Sequence, residues 1–100
     1  MSSAMDTAGN GLVSREFKIV NQRGLHARAS AKFVQVAGGF EASVDVEKDG
    51  VKVGGTSIMG LMMLAASPGC NIRVTASGPE AKEVMEALEA LIATRFGEEI

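Results

Sequence analysis

The sequence predicts an α+β fold, an open-faced β-sandwich in the order β-α-β-β-α-β-α, with a four-stranded, mostly antiparallel sheet covered on one face by three helices. Three observations lead there. Short segments alternate apolar and polar residues, which gives each strand one wet side. Between them lie stretches whose apolar residues recur at helical spacing, and clusters of Gly, Asn, Asp, Ser or Pro separate one stretch from the next. Strands polar on one face leave helices only the other face to cover.

Residues 1–14, rich in Ser, Ala and Gly and without apolar periodicity, are expected to form a flexible leader, with the folded domain spanning 15–100. The first strand runs from Arg15 to Val20, with Phe17 and Ile19 on one face, and ends at the polar turn Asn21-Gln22-Arg23-Gly24. Ala27 to Val36 favours a helix that offers Ala31, Phe33 and Val34 to the core and stops at Gly38-Gly39. Ala42, Val44 and Val46 then share one face, opposite Glu41, Ser43, Asp45 and Glu47. Asp49-Gly50 suits a tight turn with positive φ values, and Val51-Lys52-Val53 resumes the alternation, so residues 41–53 form a hairpin ended by Gly54-Gly55. A second helix over Ile58 to Ala66, with Leu61, Leu64 and Ala65 inward, precedes the break Ser67-Pro68-Gly69. The run Asn71 to Ala76 is the fourth strand, with Ile72, Val74 and Ala76 inward. Ser77-Gly78-Pro79-Glu80 has the register of a capping box. It introduces a long amphipathic helix bearing Ala81, Val84, Met85, Leu88, Leu91 and Ile92, which stops near Gly97.

Composition narrows the function. One hundred residues, 46% apolar, suit one core and leave no second domain for a cofactor. A net charge of −2 offers no basic field, and the absence of Trp and Tyr removes stacking platforms, so nucleic acid is not an expected partner. Cys70 is the single cysteine and excludes an internal disulfide or multi-thiolate metal site; it reads as a small apolar filler. No segment has the length of a membrane span, and the first residues lack a signal-peptide pattern, so a cytoplasmic protein without a membrane partner is expected.

His26 is the single histidine, and any imidazole chemistry must pass through it. It stands after a glycine turn and before a helix, where free backbone N–H groups and the positive end of the helix dipole favour an anion. The dipole disfavours the imidazolium, leaving a ring nitrogen free as a nucleophile, and a phosphoryl group placed there would meet waiting donors. Arg28 adds a planar fork suited to phosphate oxygens. A lone histidine can equally be a surface or helix-capping residue. A metal site has no second His or thiolate cluster to draw on, and no nucleophile-elbow pattern frames Ser30, Ser57 or Cys70 for a hydrolase. No metal and no cofactor are expected.

Gly24-Leu25-His26-Ala27-Arg28, followed about thirty residues later by Ser57-Ile58-Met59-Gly60-Leu61, resembles the HPr family of phosphocarriers of the bacterial phosphotransferase system, over roughly Arg15 to Gly97. The resemblance implies that His26 takes a phosphoryl group on Nδ1 from a phosphohistidine of Enzyme I, charged by phosphoenolpyruvate. It then passes the group to a histidine of an Enzyme IIA, with Arg28 contacting the phosphoryl oxygens. Such a protein is a stoichiometric carrier rather than an enzyme, expected to work as a monomer. Where the family commonly has proline after the arginine, this chain has Ala29, then Ser30, which sets the first helical turn less rigidly. That variant looks like the nitrogen-related branch, whose acceptor is the nitrogen Enzyme IIA.

Every residue from Ile58 to Ala66 is apolar or glycine, more than one buried helix face can absorb. Ile58, Met59 and Met62 are the candidates for an exposed docking patch, since Met adapts to more than one partner surface. Ser57 reads first as a helix cap. In many bacteria the matching serine of HPr is phosphorylated by HPr kinase/phosphorylase, which the resemblance extends to this position. Two other readings stand beside the carrier: a regulatory interaction module acting through phospho-Ser57, and a small metabolic enzyme, which would lack a second acid-base group near His26.

Overall fold

A computed structural model describes residues 12–98. Strands β1 (Val13–Lys18), β2 (Ser43–Lys48), β3 (Val51–Gly54) and β4 (Asn71–Ser77) form one sheet in the order β1-β4-β2-β3, with every neighbouring pair antiparallel. Helices α1 (Ala27–Ala37), α2 (Ile58–Met63) and α3 (Ala81–Ala93) complete the expected order, followed by a single 3-10 turn at Arg95–Gly97. The α+β open-faced sandwich of the sequence is thus the observed fold.

Alternation explains the two faces. Val44, Val46, Ile72, Val74 and Ala76 point to the helices and are buried with Phe33, Leu61, Val84, Met85, Leu88 and Ile92. Each large side chain so buried contributes about 1.5–3 kcal/mol. The other face stays polar, and its register sets Glu16 opposite Arg73, Arg73 opposite Glu47 and Glu47 opposite Lys52, a row of alternating charge. Asp49 and Gly50 turn between β2 and β3 with φ values of 52° and 83°, the positive pair a two-residue hairpin requires.

Several boundaries differ from the sequence reading. Strand β1 starts at Val13 rather than Arg15, because Val13 and Ser14 pair with Ala76 and Thr75, and the Ser14 and Thr75 hydroxyls lie 3.1 Å apart. Two residues assigned to the leader therefore belong to the sheet, and residues 1–11 lie outside the described part. Ala31 is exposed, while Ala29 and Ser30 are buried: the core-facing stripe of α1 is rotated from the expected one. Helix α2 ends at Met63, three residues early, and Ala65 is exposed with φ 54° while Ala66 is buried in its stead. Ser77 is no helix cap, being paired with Ser43 as the last residue of β4. Glu80 caps nothing with its side chain and instead accepts the Glu41 backbone N–H at 2.7 Å, tying the start of α3 to the entry of β2. Cys70 packs half-buried against the core.

Candidate functional site at the start of the first helix

The loop between β1 and α1 is folded by three constraints. Asn21, fully buried, donates from Nδ2 to the Gly24 carbonyl at 2.8 Å. Gly24 takes φ +66°, and a Cβ there would lie 2.3 Å from the Ala66 carbonyl oxygen. The next amide, Leu25 N–H, donates to that same oxygen at 2.9 Å, which docks the loop on the segment after α2.

That docking delivers His26 to the N-cap of α1, with φ −76° and ψ −176°. Its Nδ1 accepts the Arg28 backbone N–H at 3.2 Å, and the Ser30 N–H closes the first helical bond on the His26 carbonyl at 2.8 Å. The histidine is therefore a helix cap. The same observation makes it a candidate nucleophile, because a nitrogen that accepts an N–H carries a free lone pair. At 3.2 Å the bond sits at the long end of the normal range and costs little to release. The other nitrogen, Nε2, lies 3.1 Å from Glu98 Oε2, so in the neutral ring the proton belongs on Nε2.

Glu98 is the residue the sequence reading missed. It stands 72 positions from His26 and arrives through a left-handed reversal in which Arg95, Phe96 and Gly97 take φ values of 59°, 55° and 72°. Phe96 anchors the reversal in the core, and Lys32 Nζ donates to its carbonyl at 2.7 Å. Glu98 Oε1 accepts the backbone N–H groups of Gln22 at 2.8 Å and Arg23 at 3.3 Å, while Oε2 also receives Asn21 Nδ2 at 3.3 Å. Burial pushes the Glu98 carboxyl up, but the hydrogen bonds from Asn21, Arg23, Gln22 and His26 outweigh it and hold the group below the usual carboxylate range. A depressed folded-state pKa means that this contribution to stability is present at neutral pH and is lost as the pH falls through that lowered value.

An open depression of about 490 Å³ lies beside the ring, lined by Arg23, His26, Arg28, Lys32, Phe96 and Glu98 among others. The exposed Arg28 side chain makes no ion pair among the described residues and is free to turn toward a group on Nδ1. The sequence-predicted pair His26 and Arg28 is thus brought together. Among the described residues no group of three or more His, Cys, Asp or Glu side chains could hold a metal.

Ser57 caps α2, its Oγ accepting the Gly60 N–H at 2.9 Å. Ile58, Met59 and Met62 are exposed at 41%, 72% and 43%, and Met63, absent from the expected set, is exposed at 75%. Leu61 and Leu64 turn inward, and α2 packs against α1, the helix that His26 caps.

The open-faced sandwich of four antiparallel strands under three helices is the fold of small phosphocarrier proteins. The family description "PTS HPr component phosphorylation site" matches residues 13–94. The phosphocarrier protein HPr of Cupriavidus necator is 49% identical over 87 residues, covering 87% of this chain and 98% of the relative. The crystal structure of HPr-C-His from Thermoanaerobacter tengcongensis superposes with a TM-score of 0.84 at 43% identity, covering 88% of this chain and 99% of that one. A crystal structure of an HPr dimer from the same organism gives 0.70 at 45% identity, covering 82% and 94%. The chain belongs to the HPr phosphocarrier family of the phosphotransferase system.

Proposed function

We propose that this protein carries a phosphoryl group on Nδ1 of His26, taken from the phosphohistidine of Enzyme I and handed to a histidine of an Enzyme IIA of the nitrogen or sugar type. The observation that carries the reading is the Nδ1 lone pair, held at a helix N-terminus and open to a depression rimmed by Arg23, Arg28 and Lys32. Positioning and charge stabilisation are most of what phosphoryl transfer asks of a protein. As the phosphoryl group arrives, Nδ1 gives up the Arg28 N–H, and a phosphoryl oxygen becomes that donor's new acceptor. Incubation with phosphoenolpyruvate and Enzyme I should yield acid-labile, base-stable phosphate, and its absence would overturn the reading.

Arg28 acts on the transferred group rather than on the fold, since its side chain is exposed and outside every ion pair among the described residues. Arg28→Ala is expected to slow transfer in both directions by about tenfold or more, the equivalent of about 1.5–3 kcal/mol for one charged hydrogen bond, with the melting temperature nearly unchanged. An unchanged rate would show that the helix amides suffice.

The patch of Ile58, Met59 and Met62 is the docking surface for Enzyme I and Enzyme IIA, and Ser57 stands at its rim as the site for HPr kinase/phosphorylase. Ser57→Asp keeps an oxygen acceptor for the Gly60 N–H and adds negative charge at a helix N-terminus, so stability should hold or rise by about 0.5 kcal/mol. Against an acidic rim on Enzyme I the same charge should slow phosphorylation of His26, with partial recovery at high salt. Equal rates at low salt would place Ser57 outside the docking surface. A second reading, a regulatory module working through phospho-Ser57, draws on the exposure of that hydroxyl. Transfer through His26 to an acceptor separates the two. The carrier is proposed to act as a cytoplasmic monomer; sedimentation at micromolar concentration tests that against the dimer seen for the Thermoanaerobacter relative.

A further inference from the structure

Resting on the reading of α2 as the docking surface, we propose that Met59, Met62 and Met63 form a reversible oxidation site, where hydrogen peroxide converts the thioethers to sulfoxides and thereby closes the surface to Enzyme I. The fold divides the methionines sharply. Met59, Met62 and Met63 stand exposed on one six-residue helix, while Met85, the remaining methionine among the described residues, is fully buried in the core. Met62 and Met63 follow Met59 at the spacings of three and four residues that make side chains neighbours on a helix surface, so the three sulfurs share one stretch of it. Other residues hold the helix in place. Leu61 and Leu64 are buried, and Ser57 Oγ accepts the Gly60 N–H at 2.9 Å. Leucine has no atom that peroxide attacks, so oxidation alters what α2 presents and spares what anchors it. Cys70, half-buried and away from α2, with Sγ 3.4 Å from Ser67 Oγ, is the other sulfur an oxidant can meet among the described residues.

The step is an oxygen transfer. A sulfur lone pair attacks one peroxide oxygen, the S–O bond forms as the O–O bond breaks, and the second oxygen leaves with both protons as water. Sulfur is oxidised by two electrons and the peroxide is reduced by two. The product changes the surface in kind: a flexible apolar side chain becomes a polar one whose oxygen water solvates well. The six residues of α2 carry no charged group and no hydroxyl, so a partner that fits this helix is matched to apolar surface. Docking would strip water from the sulfoxide oxygen and give it no donor in return. The effect falls on docking rather than on chemistry, because the His26 ring is held by the Arg28 N–H and Glu98, which belong to other elements. Methionine sulfoxide reductases restore the thioether, two thiols supplying the electrons and becoming a disulfide while the oxygen leaves as water.

Treatment of the full chain with hydrogen peroxide, followed by peptide mapping by mass spectrometry and by loading with phosphoenolpyruvate and Enzyme I, tests the proposal. Met59, Met62 and Met63 should each gain one oxygen while Met85 stays reduced, with the circular dichroism spectrum unchanged. At limiting carrier the oxidised protein should load about tenfold more slowly, through a raised KM at constant kcat, a factor that one unpaired polar group in an apolar contact can produce. The two methionine sulfoxide reductases, one for each epimer, should restore the rate. A variant carrying Met59→Leu, Met62→Leu and Met63→Leu, compared only with itself before and after peroxide, should lose no rate. It keeps Met1, Met5 and Cys70, so a loss that persists in it belongs to those residues and overturns the proposal. An equal KM for oxidised and untreated wild type would overturn it too. Met59→Asp without oxidant separates that failure from the docking reading: slower loading keeps the docking surface, and an undiminished rate removes the surface and this proposal together. Failure of the untreated wild type to load at all would overturn the carrier reading itself.

Discussion

His26→Ala is expected to fold and to take up no phosphoryl group from Enzyme I, a complete loss rather than a slowed rate. The chain holds no other imidazole, and alanine supplies neither a lone pair at the Nδ1 position nor a route to a phosphoramidate bond. The fold should weaken modestly. The Arg28 N–H loses its capping acceptor, a change that costs about 1 kcal/mol for ordinary caps, and Glu98 loses one of four donors while keeping Asn21, Gln22 and Arg23. His26→Asn separates the two roles, because asparagine is a good N-cap but no nucleophile: it should recover the stability and none of the loading. Labelled phosphate on either variant, measured by gel autoradiography after alkaline treatment, would sink the assignment of His26.

The parts of this architecture legible in the sequence are those specified by neighbours in the chain. Asp49-Gly50 marks the hairpin because only a few residues tolerate two positive φ angles in succession, and β4 is legible because Ile72, Val74 and Ala76 alternate without interruption. His26 and Arg28 were legible as a pair because a glycine turn meets the start of a helix there. Glu98 was not. Its approach depends on Arg95 and Phe96 both adopting a left-handed conformation that non-glycine residues seldom take, stabilised by burial of Phe96 and by the reach of Lys32 from another helix. Nothing local signals such a reversal. Ser77 shows the opposite failure, a sound local cap pattern overruled by pairing with Ser43 across the sheet. Helical spacing places Ala65 in the core, but the helix ends at Met63 and Ala65 is exposed.

Gly24→Ala should have the largest effect on stability of any single methyl added near the site. At φ +66° an alanine pays about 1–2 kcal/mol for the left-handed conformation. Its Cβ would also fall 2.3 Å from the Ala66 carbonyl oxygen, a contact with backbone that no side-chain rotation can relieve. Separating the two segments would stretch the Leu25 N–H bond to that same oxygen and the Asn21 bond to the Gly24 carbonyl. Overpacking of this kind adds about 1–3 kcal/mol, so a total loss of about 2–5 kcal/mol is expected. In a domain of this size that lowers the melting temperature by at least about 10 °C. Function should suffer beyond the instability, because Leu25 is the residue before His26 and its bond to Ala66 sets where the imidazole meets the helix N-terminus. Loading by Enzyme I should therefore slow even at temperatures where the variant is fully folded. Thermal unfolding followed by circular dichroism, with loading rates taken well below the transition, reads both effects. A melting temperature within about 2 °C of wild type would mean that the segment after α2 yields freely, and that the docking of Gly24 on Ala66 does not fix the position of His26.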